Sequence, residues 1–167
     1  IRASESREAG ERDLPESLQQ SFSKDPLENI FHSQSIRKFL DNHPEPRGGF
    51  LKTQFLDWDL DCSPETRKKD EELAEIQRDI LLIIRPMLTV YETIEPEAEQ
   101  NQTAASVLAT IKKCIEYANH LGGKICHIRR KNVLRAIGAR NYDEISRSPS
   151  SNPNVLFGPE NRKEIAN

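Results

Sequence analysis

The 167-residue chain is 35% hydrophobic and 31% charged, a balance that suits one domain with a small core and excludes a large self-sufficient one. Its 24 basic and 27 acidic side chains leave a net charge of −3, so any affinity for nucleic acid has to come from a local patch rather than from the whole molecule. Cys62, Cys114 and Cys126 have no paired spacing, and no apolar run reaches the roughly 18 residues of a membrane span. These features predict a soluble, cytoplasmic or nuclear protein with no disulfide framework and no membrane partner.

Residues 1–24 are charged and serine-rich with little apolar periodicity, which predicts a flexible arm. A helical domain is expected over residues 25–142. Its first helix starts at Asp25-Pro26-Leu27-Glu28, where an N-cap acid, a proline at the first helical position and a glutamate at the third suit free amides. Leu27, Ile30, Phe31, Phe39 and Leu40 supply its apolar side chains, with the polar Ser33-Gln34-Ser35 as a place where it could split. His43-Pro44-Glu45-Pro46-Arg47-Gly48-Gly49 cannot continue a helix. The extended crossing that follows carries Phe50, Leu51, Phe55, Leu56, Trp58 and Leu60, and these are expected to pack across the helices.

Ser63-Pro64-Glu65 signals the next helix start. From there Leu73, Ile76, Ile80, Ile83, Met87, Tyr91 and Ile94 recur at spacings of 3, 4, 3, 4, 4 and 3, one apolar seam on a long helix from Pro64 to about Glu95. Pro86 removes a backbone donor inside it and predicts a kink between Leu82 and Pro86. A third helix, from about Glu97 to Ile137, carries Ala104, Leu108, Ile111, Ile115 and Ala118, and its seam runs on through Leu121 or Gly122 to Ile125 and Ile128. Glycine inside a helix costs about 1 kcal/mol against alanine but admits a close neighbour. Asn101-Gln102-Thr103 has the form of a glycosylation sequon and is read as helix surface. Gly138 is the stop, and residues 143–167 read as a turn-rich tail whose one sticky point is Val155, Leu156 and Phe157.

The chemistry-bearing stretch is LGGKICHIRRKNVLRAIG. Gly122-Gly123-Lys124 lacks the strand and the remaining glycines of a phosphate loop. Cys126 and His127 are sequence neighbours that point to different sides of a helix, unlike converging metal ligands. His127-Ile128-Arg129-Arg130 with Tyr142 invites comparison with tyrosine recombinases, but the tyrosine follows too soon and no upstream catalytic arginine is evident. The acidic runs Asp70-Glu71-Glu72 and Glu95 to Glu99 look like solvated helix ends, not paired carboxylates. The chain therefore reads as a non-enzyme, with no catalytic residue, metal, cofactor or small-molecule substrate. What remains is a cationic cluster, Lys124, Arg129, Arg130, Lys131, Arg135 and Arg140, with no acid among them. It is either a solvated helix face or an outward nucleic-acid-binding surface.

The order of several motifs resembles gag-like proteins of the DIRS and Ngaro retrotransposons, fungal ones especially. They are IRKFLDNHPEPRGGFLKTQFLDWDL, then Arg67, Asp70, Leu73, Ile76 and Gln77 in a capped helix, then IRPMLTVYETI, ANHLGGKICHIRRKNVLRAI and the closing NVLFG. The C-terminal domain of lamina-associated polypeptide two alpha is a relative of that family. The resemblance implies a structural protein that self-associates, with retroelement RNA as candidate cargo. The alternative is a domesticated nuclear adaptor that dimerises and binds a protein or chromatin partner. Periodicity and resemblance together predict an all-α fold, a long antiparallel helical hairpin with the aromatic crossing segment on one side, completed by dimerisation. Ile76, Ile80, Ile83, Ile111 and Ile115 are the expected oligomerisation residues, some closing the hairpin and others the partner contact.

Overall fold

The computed structural model describes residues 13–22, 33–47 and 51–166. The described residues are mostly helical, and none lies in a named strand. The chain divides into two compact units, Ile1–Lys38 and Phe39–Asn167. In the first, α1 (Glu16–Phe22) opens on Pro15, whose carbonyl accepts from the amides of Leu18 and Gln19. Residues 16–22 of the expected arm are thus helical. The expected start at Asp25, with Leu27, Ile30 and Phe31, lies outside the described residues. Helix α2 (Ser33–Asp41) begins in the first unit and ends in the second, and Ser33-Gln34-Ser35 lies within it rather than splitting it.

The second unit is built on α3 (Pro64–Leu82), α4 (Ile84–Ile94) and α5 (Gln102–Ala136). Ser63 caps α3 by accepting from the Thr66 amide at 3.1 Å, with Pro64 in the first turn where its missing donor costs nothing. The expected long helix breaks at Ile83, inside the interval assigned to a kink. Pro86 has no N–H for the Leu82 carbonyl, and its ring crowds that oxygen. After a 3₁₀ turn at Glu95–Glu97, α5 starts at Gln102, five residues later than periodicity suggested. Asn101 fixes that start, its Oδ1 accepting from the amides of Thr103 and Ala104 at 2.9 and 3.3 Å. The 35-residue helix ends in a Schellman motif, in which Gly138 (φ 72°) donates to the Arg135 carbonyl and Ala139 to Leu134.

Helix α3 faces α5 with Asp70, Ala74, Gln77 and Leu81, all buried. Leu81, Ile84 and Ala118 form one core cluster, with Ile80 and Ile115 against it. Gly122 admits Leu81, for a Cβ there would stand 2.8 Å from Leu81 Cδ2, whereas a Cβ on Gly123 would meet nothing within 4 Å.

Residues 143–167 are not an appended tail. They form α6 (Tyr142–Arg147) and α7 (Gly158–Ile165), and they supply Ile145, Leu156 and Phe157 to the larger core cluster with Leu60, Val133 and Leu134. The crossing segment pairs with them, Phe55 donating to the Asn154 carbonyl and accepting from Leu156 in an isolated parallel bridge. Its aromatics behave differently from expectation. Leu60 is buried and Leu51 and Leu56 partly so, but Trp58 is 85% exposed and Phe55 is exposed as well. Phe50 lies outside the described residues.

Candidate interaction surface

Polar groups, not aromatics, hold the crossing segment down. The buried Asp57 carboxylate accepts from the amides of Phe157 and Gly158 at 2.9 and 3.1 Å, and Arg162 Nε stands 3.3 Å away. Gly158 has φ 79°, and a Cβ would lie 2.6 Å from Ser150 Oγ, so the position needs glycine twice over. Arg162 also pairs with Asp59. From α3, Arg67 donates to the carbonyls of Trp58 and Leu60 at 3.2 and 2.5 Å. With Asp57 turned inward onto two amides, its neighbour Trp58 is left pointing to water.

The same logic overturns the outward reading of the two central arginines. Arg129 is 1% exposed. It donates to both oxygens of Asp70 at 2.9 Å, to Gln77 Oε1 at 2.8 Å and to the Gln54 carbonyl at 2.8 Å. A charge can be buried there because a bidentate carboxylate and two further acceptors replace its water. Asp70 is therefore a buried partner rather than a solvated helix end. Arg130, 6% exposed, donates from Nη1 to the carbonyls of Ser146 and Ser148 and lies 5.3 Å over the Phe157 ring. Its Nε and Nη2 have no hydrogen-bond partner among the described residues. Burial lowers its pKa from the usual arginine range, and burial likewise pushes the Cys126 thiol up, against the pull of Arg130 and Arg129. Neither arginine can meet a phosphate in this fold.

The other cations stay outside. Lys124, Arg135 and Arg140 are exposed. Lys131 pairs with Asp143 at 3.1 Å, and Lys131 and Arg135 both sit over the Tyr142 ring, at 5.9 and 5.0 Å. His127 contacts the Ser146 carbonyl through Nδ1 at 3.2 Å. The six cations of the sequence thus separate into two internal braces and four surface charges.

The helices have a second side. Thr66, Lys69 and Leu73 of α3 line one cleft with Asn132, Arg135 and Ala136 of α5. At about 100° per residue, steps of seven stay close to one edge of a helix. From Leu73 that edge continues through Ile80, with Ile76 and Ile83 beside it, and beyond the break at Ile83 helix α4 carries Met87 and Val90. From Arg135 it continues through Ile128, Leu121, Cys114 and Val107. Ile76 is 52% and Ile128 40% exposed, and Ile83, Val90, Val107 and Tyr117 are exposed too. The expected oligomerisation set therefore divides. Ile76 and Ile83 lie on this open face, Ile80 and Ile115 pack against the chain's own core, and Ile111 is half-buried.

No described helix is long and apolar enough to cross a membrane. No protein-family model, curated protein or solved structure matches the chain.

Proposed function

We propose that the protein is a non-enzymatic structural module that self-associates through the open face of α3, α4 and α5, in the manner of a gag-like assembly protein. In this reading the three helices are the antiparallel hairpin, and a second copy supplies the half of the bundle that the chain lacks. The observation that carries it is the position of the best apolar seam. Ile76, Ile83, Val90 and Ile128 are exposed, while the surface between α3 and α5 buries Asp70, Gln77 and Arg129. A monomer rarely leaves so continuous an apolar stripe in water.

The gag-like resemblance gains support from the residues that carry it. The motif positions Arg67, Asp70 and Gln77, Arg129 of the arginine pair and the closing LFG all belong to one set of braces around the crossing segment. RNA as cargo has less to rest on, since only Lys124, Lys131, Arg135 and Arg140 of the cluster are at the surface.

Light scattering of the full chain at tens of micromolar tests the reading. A dimer or larger species is expected, and Ile76→Arg with Ile83→Arg should give a monomer of unchanged helicity. A parent chain that is itself a folded monomer at that concentration would sink the proposal. Titration with unrelated RNAs at two salt concentrations checks the cargo, where binding should weaken steeply with salt.

A further inference from the structure

Resting on the self-association reading, we infer which helix meets which: on the open face, α3 of one copy lies on α5 of the second copy, not each helix on its own counterpart. The flanks of the face decide this. Along the outer edge of α3, steps of seven carry Glu65, Glu72 and Asp79, and along the outer edge of α5 stand Lys113, Lys124 and Lys131. Some of these charges already have partners within the chain. Glu65 holds Lys69 at 2.7 Å, Lys113 holds Glu116 at 2.7 Å, Lys131 holds Asp143, and Asp79 too has an interaction within the chain. Lys68 and Lys69 stand among the α3 acids, yet the α3 edge keeps a net negative charge and the α5 edge a net positive one. Pairing α3 with α3 would set acid on acid and base on base, whereas pairing α3 with α5 sets each edge against its complement.

The size of the face agrees with a second copy as occupant. A stripe about 45 Å long on two helices roughly 10 Å wide each offers on the order of 900 Å² per partner, close to the approximately 800 Å² of a stable pairwise interface.

Symmetry then fixes the register. A two-fold axis parallel to the helices leaves every height unchanged, so a residue of α3 faces the level of the partner's α5 that it already neighbours in its own chain. Within the chain Leu81 meets Gly122 and Asp70 meets Arg129. Asp79 therefore stands near Lys124 of the second copy and Glu72 near Lys131 of the second copy, with Ile76 between these pairs against Ile125, and Ile83 beyond Asp79 against Leu121.

Sedimentation equilibrium of four full-length chains tests the arrangement: the parent, Glu72→Lys with Asp79→Lys, Lys124→Glu with Lys131→Glu, and all four changes together. Each double variant should dimerise at least about tenfold more weakly than the parent, because like charges then face each other, and the quadruple variant should recover the parent's affinity. Circular dichroism confirms that each remains helical. A dimeric parent with equally dimeric double variants would overturn the helix pairing and leave self-association standing. A folded quadruple variant that stays monomeric would overturn it as well. A monomeric parent would remove self-association itself, a separate failure seen before any variant is made.

Discussion

The two sides of the α3–α5 pair are held by opposite means. One side is covered by the crossing segment, α6 and α7, and its fasteners are polar: Asp57 on two amides, Arg67 on two carbonyls, and Arg129 on Asp70, Gln77 and Gln54. The other side carries the isoleucine and valine stripe, of which Ile76, Ile83, Val90 and Ile128 are exposed among the described residues. The contrast teaches that apolar periodicity marks an apolar surface without saying what, if anything, covers it. Directional bonds do the opposite: they specify one partner segment and one register.

The comparison breaks most readily at Arg129. Replacing it with alanine leaves Asp70 and Gln77 buried without their donor and should cost about 3–5 kcal/mol. Urea denaturation would read this as a large drop in midpoint, and glutamate at the same position should prevent folding. Cutting the second fastener is milder. Asp57→Ala removes two charge-assisted backbone bonds, a loss of about 3 kcal/mol, and should free the C-terminal segment, seen as early protease cleavage between α6 and α7.

A sharper version contrasts two adjacent glycines. Gly122→Ala drives a methyl against Leu81 and should destabilise by about 1–2 kcal/mol. Gly123→Ala meets open space and should stabilise by about 1 kcal/mol through helix propensity. Thermal melts of the pair would separate the two effects, and equal shifts would mean that Leu81 yields without cost. On the open side, Ile76→Thr should change the stability of the dissociated monomer by less than about 0.5 kcal/mol, while weakening assembly at higher concentration. The smallest effect is chemical: exposed Cys114 should react with a maleimide before Cys126, which is partly buried and whose pKa that burial raises.

Much of the fold was legible because its signals are local. Ser63-Pro64, the break ahead of Pro86 and the glycine stop at Gly138 each follow from which backbone donors and dihedrals a residue permits, and each stands where the sequence put it. The tail was misread for the same reason. In residues 143–167 turns separate Ile145 from Leu156 and Phe157, so no period announces a core that only the fold assembles. Asp57 gave no signal as an anchor, and Asp70 and Gln77 stood out only as positions of a family-like motif, with nothing local to say that they would be buried.

The cationic cluster shows where sequence alone stops. Six cations with no acid among them are a true feature of the sequence, and helix periodicity placed five of them, Lys124 to Arg135, on one helix with Arg140 beyond its glycine stop. Which of them face water depended on Asp70, 59 residues upstream, and on the carbonyls of Ser146 and Ser148 beyond the helix end. The sequence by itself determined the helices, their caps, their break and the apolar stripe, because those rest on interactions spanning at most a turn or two. The tertiary structure decided which charges became internal braces and which side of the stripe was left open, because a buried charge is tolerable only where distant acceptors converge on it.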